Sequence, residues 1–220
     1  DNSTDVSSMI LKANKDMDYM FVEGDMMMPT RRNAIKCYRN RCLWPKTSSG
    51  LVEVPYLISD EYSDNEEATI KRAMQMFHTK TCIRFVPYSG QKDLISIESK
   101  YGCASTVGKY GYRQDLSLSV NGCIYTGIIQ HELTHALGFY HEHTRSDRDD
   151  HVKINFENIQ PDRKLNFRKR KTNNLDTPYD YSSLMHYSRD AFATYAGLET
   201  ITPIPDRSVP IGQRYGLSTM

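Results

Sequence analysis

Apolar positions recur along this chain with two different periods. Leu51-Val52-Glu53-Val54-Pro55-Tyr56-Leu57-Ile58 alternates as a strand does, with Pro55 favouring a sheet edge or a strand end. Ser63 and Glu66 have the spacing of a capping box, and Ile70, Ala73, Met74 and Phe77 at i, i+3, i+4 and i+7 predict the buried face of a helix. Ile83-Arg84-Phe85-Val86 and Leu94-Ile95-Ser96-Ile97 read as strands. They are followed by Cys103 to Val107, a reversal around Gly108 and Gly111, and Leu116-Ser117-Leu118-Ser119. A second helix is predicted over 128–137. Residues 1–32 read as irregular, with Ile10-Leu11 and Tyr19-Met20-Phe21-Val22 as their apolar patches. Beyond residue 141 the pattern loosens, and only 156–167 carries a modest helical signal. The expectation is an α+β fold: a twisted sheet backed by two helices, then an irregular lobe.

The second helix carries the chemistry. In His131-Glu132-Leu133-Thr134-His135-Ala136-Leu137-Gly138-Phe139-Tyr140-His141, the first two histidines stand at i and i+4 on one helical face. Two neutral imidazoles so placed can share one metal ion at about 2.0–2.1 Å. Glu132 can deprotonate a water there without itself binding the metal. Gly138 can take the left-handed conformation that ends a helix, and the reversed chain can return His141 as a third ligand. Three protein ligands and one open position define a catalytic zinc site rather than a structural one. A helix that merely happens to carry histidines would not be expected to carry Gly138 and His141 at these spacings.

Composition sets the surroundings. A chain of 220 residues can bury one substantial core or form two lobes around a cleft. No apolar run reaches the roughly 18 residues of a membrane span. The formal net charge of +1 hides an asymmetry: residues 1–30 hold six acids and two bases, a net of −4, leaving +5 on the remainder. An acidic leader on a basic body fits a pro-segment covering a cleft. Five cysteines point to an oxidising compartment, as does the sequon Asn2-Ser3-Thr4. Cys37 and Cys42 could close a tight loop, and Cys103 and Cys123 could join neighbouring strands, which leaves Cys82 over. Cysteine zinc ligands are disfavoured by the absence of C-x-x-C spacing. Arg31-Arg32 is either an activation cleavage site or two solvated arginines. Arg168-Lys169-Arg170-Lys171 reads as a solvated face, or a contact for acidic matrix, rather than a nucleic-acid patch.

The long form H-E-x-x-H-x-x-G-x-x-H is the metzincin signature. His141-Glu142-His143-Thr144-Arg145-Ser146-Asp147-Arg148-Asp149 resembles its extension in the astacin family, and Ser183-Leu184-Met185-His186-Tyr187 resembles that family's Met-turn. Thr81-Cys82-Ile83-Arg84-Phe85, Thr177-Pro178-Tyr179-Asp180-Tyr181 and Ile211-Gly212-Gln213-Arg214 extend the likeness over about 33–220. It implies one catalytic Zn²⁺ on His131, His135 and His141, with Met185 as a floor beneath them. It also implies Tyr187 as a further zinc ligand that swings away to stabilise the oxyanion. Cys103 would pair with Cys123, and Cys82 with a cysteine past Met220. Cys37-x4-Cys42 with Leu43-Trp44-Pro45-Lys46 resembles a six-cysteine branch in fishes that includes hatching enzymes (choriolysins) and nephrosin-like proteases. Phe21-Val22-Glu23-Gly24-Asp25 resembles the F-x-G-D segment of astacin propeptides, although its Phe is one place early. That makes Asp25 the latency ligand on zinc.

The implied organisation is an inhibitory pro-segment over 1–32, cut after Arg32, and a two-lobed metzincin domain over 33–220. The N-terminal lobe would span about 33–138 and the C-terminal lobe about 139–220, with the last residues of that lobe expected past Met220. The expected function is that of a secreted, extracellular zinc endopeptidase, released directly or through secretory granules and latent until cut. Egg-envelope proteins are the candidate substrate. Substrate is expected antiparallel to an edge strand near Cys103 to Val107, where free backbone groups can bind an extended peptide. The chain's own pro-segment is the other expected partner; nucleic acid and membrane insertion are not expected. One rival is a nephrosin-like tissue protease. Another is a non-catalytic secreted binding protein on the same scaffold, which should have lost Glu132 or a zinc ligand.

Overall fold

A computed structural model describes residues 5–17, 20–27, 41–213 and 215–219. Its elements in chain order are α1 (Val6–Ala13), β1 (Phe21–Val22), β2 (Met26–Met27), β3 (Val52–Ile58), α2 (Asp64–Lys80), β4 (Ile83–Pro87), β5 (Leu94–Glu98), β6 (Cys103–Ser105), β7 (Arg113–Leu118), α3 (Thr126–Leu137), β8 (Val152–Ile154) and β9 (Ile201–Pro203). The large sheet runs β1-β2-β6-β7-β5-β3-β4, and β8 and β9 form a second, antiparallel pair. Strands β4, β3, β5 and β7 are mutually parallel, whereas β6 runs antiparallel to β7. The central β5 is buried on both faces, so Leu94, Ile95, Ser96 and Ile97 are buried in succession rather than in alternation.

The α2 face reads out as its spacing predicts: Ile70, Ala73, Met74 and Phe77 are buried, and Glu66 accepts the Ser63 backbone N–H at 2.8 Å at the helix start. They join Val54, Ile95, Leu116, Ile128, Ile129 and Leu133 in one core cluster between sheet and helices. A second cluster, with Val152, Ile159, Phe167, Tyr187 and Ile201, fills the C-terminal lobe. Residues 156–167 form two short 3₁₀ segments there, Phe156–Asn158 and Pro161–Phe167, in place of an α-helix.

Two expectations are corrected. Strand β3 lies inside the sheet, between β5 and β4, yet Pro55 fits there. The Val52 N–H reaches Cys82 and the Tyr56 carbonyl accepts from Tyr88, so even-numbered residues face β4 and Pro55 faces the other way. Pairing with β5 starts only at Tyr56, and so Pro55 meets no partner that needs its missing N–H.

Residues 1–32 are also not simply irregular. Asp5 caps α1, its carboxylate accepting the Ser8 N–H at 3.0 Å. Val6 and Ile10 on the inner face enter the main core, with Met9 and Ala13 packed against it. The N-terminal segment then adds β1 and β2 to the sheet, β2 running parallel to β6 with Met26 opposite Ser105. The edge expected to receive substrate is thus covered by the chain's own N-terminal segment.

Candidate active site

Helix α3 places His131 and His135 one turn apart, and three of its last four carbonyls accept hydrogen bonds from beyond the helix or its cap. The His135 carbonyl accepts from Gly108 and Gly138, Thr134 from Phe139, and Ala136 from the Trp44 indole at 2.9 Å. Gly138 ends the helix at φ +116°, the left-handed conformation expected of it. The turn it makes presents the Phe139 carbonyl to His135 Nδ1 at 2.7 Å. It also brings His141 beside the first two imidazoles, with ring centroids 5.3 Å and 4.7 Å away. The Met-turn acts here through its backbone: Leu184 O lies 3.0 Å from His131 Nδ1, and Met185 O accepts the Glu142 N–H at 2.9 Å. Met185 itself is buried.

Asp25 is at the centre. Its Oδ2 lies 3.0 Å from His131 Nε2 and 3.2 Å from His141 Nε2, and its Oδ1 lies 3.5 Å from His135 Nε2. Donors bonded tetrahedrally to zinc at about 2.0–2.1 Å would stand about 3.3–3.4 Å apart; the Asp25 oxygens lie near that spacing from the three imidazoles, and the four ligand atoms are all within 4.8 Å of one another, so the set could hold one ion. The charges fit as well. Asp25, Glu23 and Glu132 are all at most 2% exposed, and Arg170 is the one arginine paired to any of them among the described residues. Burial opposes charge on His141, yet Asp25 and Glu23 hold its pKa up at about 9, whereas burial takes His131 down to about 4. Burial also works to raise Asp25, but His141 and His135 outweigh it and hold the carboxyl well below its ordinary value. His135 Nε2 is buried with no hydrogen-bond partner.

Glu132 is wholly buried and both of its carboxylate oxygens lack partners. Burial first, and the Asp25 charge second, push its pKa well up. Tyr187, expected as a further ligand, donates its hydroxyl to the Glu23 backbone carbonyl, and Asp25 joins the three histidines in the group of four that could hold a metal ion. His143 stacks on the Tyr187 ring with centroids 3.9 Å apart.

Gly24 has φ +84°, a conformation that a residue with a Cβ adopts only with strain, and a Cβ there would also press on Leu11 Cδ2 of α1 at 2.4 Å. Cys103 and Cys123 are disulfide-bonded, and Cys82 is free and exposed. Arg31, Arg32 and Cys37 lie outside the described residues.

Three residues escaped the sequence reading. Glu23 occupies the variable place of F-x-G-D, Arg170 lies in a basic run that reads as a solvated face, and nothing in its neighbours marks Asn14. Arg170 pairs with buried Glu23, and Asn14 is wholly buried against β6. Lys169, beside Arg170, does bind a surface acid, Asp149.

Three imidazoles from a helix and its return turn, with a glutamate alongside and a sheet edge beside them, define a zinc metallopeptidase. The astacin peptidase family matches residues 38–220. High choriolytic enzyme 1 of Oryzias latipes is 56% identical over 218 residues, covering 99% of this chain and 81% of its own. The low choriolytic enzyme of the same fish is 51% identical, covering 97% of this chain and 79% of its own. A solved structure of high choriolytic enzyme 1, described as a hatching enzyme zinc-protease, superposes with a TM-score of 0.80 at 59% identity. It covers 84% of this chain and 93% of that one. The chain belongs to the astacin family and is a zinc metalloendopeptidase. No helix among the described residues is long and apolar enough to cross a membrane.

Proposed function

We propose that this endopeptidase is secreted as a latent proenzyme and, once its leader is cut after Arg32, hydrolyses proteins of the egg envelope. The observation that carries latency is the Asp25 carboxylate among the three imidazoles, on a segment that also covers the β6 edge. The egg-envelope reading draws on the likeness to choriolytic enzymes over nearly the whole chain.

His131, His135 and His141 would hold the zinc, which when bound supplies Lewis acidity and lowers the pKa of a water. The protein does the rest. With the leader gone, Glu132 takes the proton of the attacking water and passes it to the leaving amine. The Tyr187 hydroxyl, released from the Glu23 carbonyl, donates to the developing oxyanion. Strand β6 offers its freed backbone groups to an antiparallel substrate strand. The leader runs parallel to β6, opposite to that direction, and presents a carboxylate rather than a peptide bond to the ligands.

The test is to incubate leader-free enzyme with isolated egg envelopes beside a generic protein such as casein. Solubilised envelope peptides at a rate matching or exceeding casein cleavage are expected. Casein cleavage with intact envelopes would instead indicate a tissue protease of the same family.

A further inference from the structure

The three zinc imidazoles do not have equivalent outer partners. Nδ1 of His131 and of His135 each face a backbone carbonyl of the catalytic domain, Leu184 at 3.0 Å and Phe139 at 2.7 Å. Nδ1 of His141 faces a carboxylate of the leader, Glu23 Oε2, at 2.9 Å. Glu23 is 1% exposed, and its other oxygen accepts from Arg170 Nε at 2.8 Å. Its backbone N–H donates to Asn166 Oδ1 at 3.2 Å. Arg170 is itself held: its backbone N–H donates to Thr144 O at 2.7 Å, and its guanidinium lies 5.3 Å from the centre of the Tyr140 ring.

We propose that Glu23 is a positioning residue for the third zinc ligand, supplied by the leader and clamped by Arg170, so that the uncleaved chain holds zinc more tightly than the enzyme released from it. This rests on the reading of the leader as a removable latency segment, and adds a role separate from that of Asp25. Asp25 occupies the metal's fourth corner, whereas Glu23 acts through the far nitrogen of His141. A carboxylate that accepts the Nδ1–H fixes the tautomer, leaves the lone pair on Nε2 and makes the imidazole a stronger donor. Loss of such a partner typically costs about 10–100-fold in metal affinity. Arg170 is what makes the arrangement tenable, because a buried carboxylate with no cation beside it is strongly disfavoured. Cleavage therefore removes two carboxylates at once, one from the metal and one from behind a ligand.

Zinc affinity is measured by competition with a chromophoric chelator, on uncleaved chain and on leader-free enzyme. Wild-type uncleaved chain should bind more tightly than leader-free enzyme. Glu23→Ala should weaken the uncleaved chain by about 10–100-fold. Glu23→Gln, whose amide oxygen can still accept the Nδ1–H, should recover part of that loss, and the visible spectrum of the cobalt-substituted protein should follow the same order. Glu23 leaves with the leader, so cleaved Glu23→Ala and cleaved wild type are one molecule; equal affinity between them shows that the variant folded. Arg170→Gln provides a second route, weakening the uncleaved chain while sparing the leader-free enzyme. Unchanged zinc affinity in uncleaved Glu23→Ala and Arg170→Gln overturns the proposal. If Asp25→Ala nevertheless activates the uncleaved chain, latency stands without it. If neither leader variant changes anything, both readings fall.

Discussion

Asn14 binds both backbone groups of Cys103, its Oδ1 accepting the N–H at 2.8 Å and its Nδ2 donating to the carbonyl at 2.7 Å. The same amide nitrogen donates to Gly24 O at 2.8 Å, so one buried side chain ties α1, the loop that carries Asp25 and strand β6 together. Truncation to alanine orphans these buried groups, at about 1–3 kcal/mol for each one left unsatisfied. Asn14→Ala should therefore loosen the leader and give uncleaved protein measurable peptidase activity. Wild-type latency in this variant, assayed with a fluorogenic peptide, would remove Asn14 from the inhibitory device.

Asp25→Ala should have the larger effect. It frees the fourth corner while three histidines still hold the metal, and uncleaved protein should hydrolyse peptide while retaining one zinc by metal analysis. A merely covering, non-ligating leader predicts no gain.

Glu132→Gln separates catalysis from stability. Loss of the general base should cost about 10²–10⁴-fold in kcat with zinc retained. An amide of nearly the same shape replaces a buried carboxyl group that has no hydrogen-bond partners, so no contact is broken and the thermal midpoint should hold. Near-normal turnover by the zinc-loaded variant would refute the assigned role.

His78 should make the fold acid-sensitive at a place remote from zinc. Its Nε2 accepts the Phe85 N–H at 2.8 Å, joining the end of α2 to β4. Burial, and then Arg84, lower its pKa from the ordinary value. An unfolded chain, with an ordinary histidine pKa of about 6.5, therefore binds more protons than the folded one below that pH. The contribution is fully present above about pH 6.5 and is lost as pH falls towards the depressed folded value. His78→Gln cannot titrate, so denaturation midpoints at pH 7.5 and pH 5.5 should separate less for it than for wild type. An equal separation would mean that His78 does not titrate with folding.

The zinc ligands, Glu132, the two principal helices and the order of the main strands could be read from the residues because each rests on short-range spacing. An i, i+4 pair lies on one face of a helix whatever surrounds it, a glycine can end that helix, and a strand declares its apolar run locally. The signal for helix α1 is equally local, since Asp5 followed by Val6, Met9, Ile10 and Ala13 is a capped amphipathic pattern, but the acidic, Met-rich composition around it masks that pattern. What tertiary structure alone decided are the contacts that span the chain. Glu23 meets His141 and Arg170, Asn14 meets Cys103, and the Tyr187 hydroxyl is given to a leader carbonyl. Partners separated by some 90 to 165 residues leave no periodicity, and a charge in a basic run or in a variable motif position has no local mark of its buried counterpart. Pro55 shows the same limit. The sequence shows only that its N–H is missing, and where that absence is harmless depends on where the neighbouring strand begins to pair.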